Sequence, residues 1–365
     1  MKIARRLLIL VILACIAGLF YWNAFYNDRV LAREVDPSGI HHITLLSRSH
    51  TIDKVYMSMQ GPFSNHAQIV MSESQAQKLM WITGVRAELV DRDGQSPVSR
   101  EFFCHSNLTF NISHLCDARK PAGTFTATQD YRLFTLIPGR MSIHLPDGFG
   151  LPVYSDEPLD YLSMSLNMNE KDGSRQLRFK TTIDATPDGT ATMKPLFRRA
   201  IYAYEPIGKM SPHTMCTGGS SPGAACGPFV GKEASSNAFV ASLGTTNTVH
   251  WLIPPGNYES HVPVSVQLDL PFDTTAHYIT GHLHPYGKSV ALVDLTMKQT
   301  VCEIHSQDMA GKLGVDRMEE ISSTKGVALF KDHQYELVTK YHNPTSEPID
   351  AMSIMYLYLL DKKFQ

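Results

Sequence analysis

Several familiar signals are missing from this chain, and each absence excludes something. Lys and Arg number 33 against 35 Asp and Glu, a formal charge of −2 over 365 residues. No basic surplus exists to track a phosphate backbone, so nucleic acid is not expected as a partner. Six cysteines are too few for a disulfide scaffold. There is no Gly-x-Ser-x-Gly elbow, no Walker-type loop and no dinucleotide fingerprint, which argues against serine hydrolases, P-loop enzymes and Rossmann enzymes. Beyond the N-terminus no stretch approaches 18 uninterrupted apolar residues, no long amphipathic helix is evident and no tandem repeat occurs. A large net charge on few apolar residues, the mark of disorder, is also absent, with 43% of residues apolar and 19% charged. What is plentiful is histidine and methionine, 16 of each. Both side chains suit borderline or soft metals.

The N-terminus carries Lys2, Arg5 and Arg6, then a run from Leu7 to Tyr26 in which only Asn23 is polar. Twenty such residues suffice for one membrane helix, with the basic flank cytoplasmic. Residues 1–30 therefore read as a signal-anchor that makes the membrane a partner through residues 7–26. A signal peptide cleaved to secrete the chain and a lipidated Cys15 after Ile-Leu-Ala are the alternatives. All three put the rest of the chain outside the cytoplasm, on the periplasmic side of an inner membrane. Disulfides form there. Cys216 and Cys226 bracket a loop without packing power and are a candidate bridge, Cys104 and Cys116 are another, and Cys302 is left over.

After the anchor, short β-rich runs alternate with turn residues. Lys78–Val90 ends in Asp-Arg-Asp-Gly, Tyr131–Ile137 in Pro-Gly, and Tyr161–Asn167 runs into Glu-Lys-Asp-Gly. Val249–Ile253 precedes Pro-Pro-Gly256, and His277–Ile279, Ser289–Leu295, Tyr335–Tyr341 and Met352–Leu360 follow. Strands at this spacing predict an all-β chain of sandwiches or jelly rolls. After the strand Gln176–Thr182, the segment Asp184–Thr192 reads as a linker. The expected organisation is two tandem jelly-roll-like β-sandwich domains, 31–190 and 194–365, after one N-terminal membrane helix.

The sharpest local motif is Thr280-Gly-His282-Leu-His284-Pro-Tyr-Gly287-Lys288. Residues i and i+2 of a strand face the same way, so His282 and His284 offer two imidazoles to one ion. Copper and zinc both accept imidazole. Met352 lies in a late strand, Asp350-Ala-Met352-Ser-Ile-Met355. A thioether beside two imidazoles favours copper, whereas a strand methionine taken alone reads as core filler.

These segments resemble the C-terminal domain of the type II, ascorbate-dependent copper monooxygenases, the peptidylglycine and dopamine hydroxylases. That family has a His-x-His pair, a following Gly and basic residue, and a late-strand Met. The resemblance places the oxygen-activating copper on His282, His284 and Met352. It extends to Tyr335-Glu-Leu-Val-Thr-Lys-Tyr341-His-Asn343-Pro-Thr345 and to the Ile253-Pro-Pro-Gly256 turn. His-Leu-His-Pro-Tyr is the form associated with bacterial relatives. It covers roughly residues 50–362, with its specific motifs in the second half.

The family's first domain holds a second, electron-delivering copper on a His-His pair and a later His. Glu101-Phe-Phe-Cys104-His105-Ser106 stands in the place of the pair, so His105 matches but Ser106 does not. Asn167 falls where the third His belongs, and Met168 is the neighbouring thioether. The resemblance thus implies one copper and a first site that has lost ligands. Met57 and Met59 lie where the family has an early Met-containing strand and read as structural, with contact to copper as the alternative. His41-His42 comes too early for the pair and reads as a tether or a first-strand pair.

The remaining histidines carry less. His277 reads as a packed strand residue or a hydrogen-bond donor to a metal ligand, His213 as a loop residue beside Cys216, His305 as part of an uninformative Cys-x-x-His and His342 as a turn residue. Three functions follow. The first is a copper monooxygenase-like enzyme that hydroxylates a C–H bond of an unidentified small molecule or peptide with O2 and ascorbate or another reductant. The second is a protein for copper storage, delivery or sensing, without catalysis. The third is a metal-free sandwich module of the envelope.

Overall fold

The apolar residues of this chain alternate with polar ones, and the backbone follows that pattern into strands. In Leu79–Asp91 the side chains of Val85, Ala87 and Leu89 are buried while Arg86 and Glu88 are exposed, the period of a half-covered sheet. The computed structural model describes residues 12, 13, 15, 18, 28–56, 60–72, 76–111, 132–206 and 247–364. It is all-β: among the described residues the longest helix outside the N-terminal segment is the single turn Ser265–Leu268. No described helix is long and apolar enough to cross a membrane. Most of residues 7–26 lie outside the described residues, as do Met57, Met59, Cys116, His213, Cys216 and Cys226.

One sheet of eleven strands runs through both halves of the chain. From one edge its order is Arg29–Val35, His41–Leu46, Arg175–Pro187, Leu79–Asp91, Phe149–Tyr154, Lys194–Tyr202, Ser353–Leu360, Thr274–Leu283 and Glu320–Leu329, with two short strands off this path. The halves join where Phe149–Tyr154 pairs in parallel with Lys194–Tyr202 over Lys194↔Phe149 and Pro195↔Gly150. The expected linker is therefore shorter than its composition suggested. Asp184 to Pro187 still pair with Leu79–Asp91, because Ala185 is buried there, and the turn comes at Asp188–Gly189.

Two smaller sheets cover the large one. Phe63–Ile69, Leu159–Ser165, Phe103–Phe110 and Arg132–Leu136 form a sheet of four. It packs on the first half through Phe103 against Phe179, 5.1 Å between ring centres, and through Tyr161 Oη bonded to Thr181 Oγ1. Gly256–Pro263, Tyr335–Asn343, Gly287–Asp294, Gln299–Asp308 and Val315–Met318 form a sheet of five.

The strand Ser353–Leu360 lies between both small sheets, which explains why it is buried on both faces. Its odd-numbered face meets the five-stranded sheet: Thr339 Oγ1 donates to Ser353 Oγ (2.8 Å), and Cys302 Sγ lies 3.8 Å from Met355 Sδ. Its even-numbered face meets the four-stranded sheet: Phe134 packs on Tyr358 at 5.5 Å. Arg198 covers Tyr356 at 4.6 Å and donates to Thr135 Oγ1 (3.1 Å). A strand covered twice loses its hydrophobic alternation, as Ser-Ile-Met-Tyr-Leu-Tyr-Leu-Leu shows.

His41 and His42 sit on a strand next to the sheet edge, where His42 Nδ1 bonds Asp184 Oδ1 (2.6 Å). His50 is different. It is buried, with Nδ1 at 2.7 Å from Ser165 Oγ and Nε2 without a hydrogen-bond partner. Burial, reinforced by Arg48 and Arg178, pushes its pKa down to about 3. An unfolded histidine titrates near 6.5, so below that pH the unfolded chain binds a proton that the folded chain refuses. Stability from this group is full above about pH 6.5 and falls as pH drops towards 3, at up to about 1.4 kcal/mol per pH unit. His50→Gln is expected to flatten the pH dependence of urea unfolding between pH 6.5 and 5 by up to that slope. Parallel curves for the two proteins would reject the assignment.

Candidate metal centre

The His-x-His motif lies at the end of Thr274–Leu283, and its orientation follows from what packs behind it. Gly281 leaves no room for a Cβ, which would stand 2.7 Å from Val290 Cγ1. The strand therefore lies tight on the five-stranded sheet, and the neighbouring His282 takes the other face. Pairing with Ser353–Leu360 runs Tyr278↔Tyr358, Thr280↔Tyr356 and His282↔Ile354. The even-numbered face of both strands thus looks towards the first half of the chain.

Four imidazoles collect there. Ring centres are 5.3 Å apart for His105 and His282, 5.4 Å for His282 and His284, and 5.3 Å for His284 and His250. All four are buried. Two imidazoles on one ion at about 2.0–2.1 Å have ring centres about 5 Å apart at a tetrahedral angle, so each neighbouring pair in this row has the spacing of two ligands of one ion. Neither ring nitrogen of His282 has a hydrogen-bond partner, nor has His250 Nε2 or Asp350 Oδ1. Each buried polar atom left unmet costs about 1–3 kcal/mol. Four such atoms lie close together here, two on His282 and one each on His250 and Asp350, and nitrogen and carboxylate donors are groups that a borderline metal accepts. Burial, then His105, His284 and His250, pushes His282 well below its ordinary pKa, against the opposing pull of Asp350. Neutral imidazole is the form that ligates.

Asp350 organises the far end of the row. Its Oδ2 is 2.7 Å from His284 Nδ1 and 3.8 Å from His250 Nδ1. Donor atoms of His250, His284 and Asp350 all lie within 4.8 Å of one another. Burial raises the Asp350 carboxyl, but His284 and His250 overcome it and hold the group well below its ordinary value. A carboxylate on Nδ1 fixes the tautomer that presents Nε2 as donor.

The two strands part just beyond His282, and Tyr341 fills the gap. Its buried phenol donates to Met352 O (2.6 Å) and accepts from His284 N (3.0 Å) and Met352 N (3.4 Å). That uses the hydroxyl's one proton and both lone pairs. His284 N also points at Met352 O at 3.4 Å, so the register sets Met352 opposite His284, on the same face. Met352 is fully buried and belongs to the apolar core. Asp350, two residues earlier, is the one on the cavity wall.

The residues expected to form a first site are dispersed differently. Asn167 does not join the histidines, because its amide is spent on a turn: Nδ2 donates to Lys54 O and Glu170 O, and Oδ1 accepts from Asn169 N and Glu170 N. Met168 lines the cavity, as do Cys104 and His105. A bulge opposite Met164 and Ser165 interrupts Phe103–Phe110 between Phe103 and His105, the kind of irregularity that re-aims side chains. His105 Nδ1 lies 2.9 Å from Cys104 Sγ, while Ser106 turns into the first-half core and bonds Tyr161 Oη. His277 is bonded to Thr275 and Ser323 and stacked on Phe149 at 4.1 Å. His305 pairs with Glu319, and His342 bonds Asn257.

The cluster opens on a cavity of about 230 Å³. Phe103, Leu166, Leu252, Leu283 and Ile349 give it an apolar wall. A strap formed by the hairpin between Gln299–Asp308 and Val315–Met318 closes one side with Met309, Leu313 and Val315. The first half pins it: Lys312 Nζ meets Glu101 Oε1 (2.7 Å), Asn169 Nδ2 donates to Leu313 O (3.0 Å) and Leu313 N to Asn169 Oδ1 (2.8 Å). Burial raises the Glu101 carboxyl, but Lys312, Ser99 and Asn169 together bring it below its ordinary value.

Sequence reasoning overlooked His250, Asp350 and Tyr341. Each had a signal: His250 stands three residues before Ile253-Pro-Pro-Gly256, Asp350 two before Met352, and Tyr341 closes a strand already assigned. Tyr341→Phe is expected to cost about 1–3 kcal/mol in urea unfolding of the apoprotein. If the cluster holds an ion, the same variant is expected to weaken its binding by about tenfold to a hundredfold, read with copper in a chelator competition. Lost stability with unchanged copper affinity would make Tyr341 a packing residue only.

No protein-family model matches the chain, and no curated protein matches it. Among solved structures it is similar to the STIV MCP at 8% identity and a TM-score of 0.32, over 87% of this chain and 98% of that one. It is similar to a peptide-N(4)-(N-acetyl-beta-D-glucosaminyl) asparagine amidase at 10% identity and a TM-score of 0.33, over 87% and 96%. Procruciferin, an 11S globulin from Brassica napus, matches at 9% identity and a TM-score of 0.14, over 92% and 83%. Superpositions this loose assign the chain to no family and carry no function.

Proposed function

We propose that this chain is a copper protein related to the type II, ascorbate-dependent monooxygenases. In this reading it is built as two tandem jelly-roll-like sandwiches, 31–190 and 194–365, and is held on the periplasmic side of a membrane by residues 7–26. The observation that carries the reading is the buried His282, both of whose ring nitrogens lack partners beside His284 at an apolar cavity. His282 and His284 would hold the ion, with Met352 on the same face as the thioether. Imidazole with thioether suits copper over zinc.

Bound copper supplies oxygen activation at the expense of a reductant such as ascorbate, putting one oxygen atom into a C–H bond and releasing the other as water. The chain's own residues do the rest. Asp350 holds the proton on His284 Nδ1, and Tyr341 fixes the backbone of His284 and Met352. The wall of Phe103, Leu166, Leu252 and Ile349 orients an apolar substrate, and the strap keeps water out. Exclusion of water matters because every electrostatic interaction in the site strengthens in a dry cleft.

One observation favours copper binding without catalysis as a second reading. His105 stands beside His282 rather than in a separate cluster with Asn167, so among the described residues the expected second copper site, the internal electron relay, is not assembled. Copper analysis of the purified full-length chain and of the His282→Ala, His284→Ala double variant tests the metal. About one copper per chain is expected, lost in the variant; a copper-free wild type overturns the reading. Copper-dependent oxygen uptake with ascorbate then separates the enzyme from the binding protein.

A further inference from the structure

We propose that His105 is a ligand of the same copper as His282 and His284, so that the ion is held across the two halves of the chain and ties them together. This rests on the copper reading above and adds a donor from the opposite half. His105 belongs to the four-stranded sheet of the first half, whereas His282 and His284 end a strand of the second. Yet its ring is as close to His282, at 5.3 Å, as the two members of the His-x-His motif are to each other, at 5.4 Å. Two rings ligating one ion at about 2.0–2.1 Å have that separation; the donor atoms already within 4.8 Å of one another are those of His250, His284 and Asp350, so the rings of His105 and His282 would have to turn towards the ion as it binds.

The local structure brings His105 there on purpose-built terms. Leu159–Ser165 and Phe103–Phe110 pair residue for residue from Phe110 down to His105, and the register then slips at Phe103. Cys104 and His105 both reach the cavity as a result, although regular alternation would send adjacent residues to opposite faces. Cys104 Sγ at 2.9 Å from Nδ1 holds the ring in orientation, as outer partners of metal-bound histidines do. Beyond the cluster, the halves meet near the cavity through polar contacts: Lys312 with Glu101, Leu313 with Asn169 and Arg100 with Asp316. Such contacts on a rim contribute little each. A shared ion would be the strongest single link across this face.

The test is a copper(I) titration of the full-length chain against a chromophoric chelator. It is read with the copper-induced rise in melting temperature and the number of nitrogens coupled to copper(II) in electron paramagnetic resonance. Wild type, His105→Ala and His105→Gln are compared, and the urea midpoint of each apoprotein checks folding. Expected are one copper per chain in all three, affinity lower by at least about tenfold in both variants, a smaller copper-induced rise in melting temperature, and one coupled nitrogen fewer. The nitrogen count reads ligation directly, so it decides even where a variant is less stable. Unchanged affinity and nitrogen count overturn the proposal while leaving the metal at His282 and His284. Two coppers in wild type falling to one in the variants also overturn it, since His105 then serves a separate ion. No copper in wild type removes the reading on which it rests.

Discussion

The pairing of Thr274–Leu283 with Ser353–Leu360 is the constraint on which the rest of the molecule depends. Both strands are buried almost throughout, and their register decides which side chains face which small sheet. A slip of one residue would turn His282 from the cavity towards the five-stranded sheet and bring Gly281 to the cavity. Side chains on both faces oppose such a slip: Thr339 on Ser353 and Cys302 on Met355 behind, Phe134 on Tyr358 and Arg198 on Tyr356 in front. Tyr341 then ends the ladder cleanly, closing the backbone groups of His284 and Met352 with one hydroxyl.

That order comes with a cost at the histidine cluster. Imidazoles are amphiprotic and rarely go unbonded inside a protein, yet His282 is buried with neither nitrogen matched, and His250 and Asp350 each leave an atom unmet. A fold that needed these residues only for packing would place leucine or phenylalanine there, at no desolvation cost. Several other described histidines are satisfied, His277 with Thr275 and Ser323, His42 with Asp184, and His261 with Glu336 and Glu259, while His50 keeps one ring nitrogen unmet. In this cluster the unmet atoms of His282, His250 and Asp350 stand together, beside a carboxylate that orients His284.

The all-β fold was legible in the sequence because turn residues punctuate it. Gly94 and Gly139 end strands with positive φ, at 80° and 79°, where Asp-Arg-Asp-Gly and Pro-Gly had marked turns. Strand lengths were less legible. His277–Ile279 proved to be part of the longer Thr274–Leu283, and Gln176–Thr182 part of Arg175–Pro187, because polar residues such as Thr280 and Asp184 sit inside these strands bonded to Glu319 and Arg86. His282 and His284 were legible because strand period alone puts them on one face. His250 and Asp350 were not, since His250 immediately precedes Trp251–Ile253 and Asp350 lies in Ile349–Ala351, two short strands distant in sequence and brought together only by their pairing. Asn167 misled because a sequence position says nothing of whether an amide is already spent on its own turn.

The same logic explains why a first-half histidine arrives at a second-half cluster. Alternation would give Phe103–Phe110 one face for the core and one for the cleft, with only every second residue available. The bulge breaks that rule locally and lets Cys104 and His105 share the cleft. Across it, the strap from the second half is pinned by Glu101 and Asn169, residues that flank Phe103–Phe110 and the turn held by Asn167. The first half therefore shapes the cavity twice, once by the bulge and once by the strap's anchor. An ion pair with a half-exposed lysine contributes about 0–1 kcal/mol and each backbone bond to Asn169 about 1 kcal/mol. Closure over the cavity is thus held by a few kcal/mol at most, small beside the burial that fixes the paired strands. The paired strands that carry His282 and Met355 are held by burial on both faces, whereas the cover over the cavity is held to the first half by these few polar contacts.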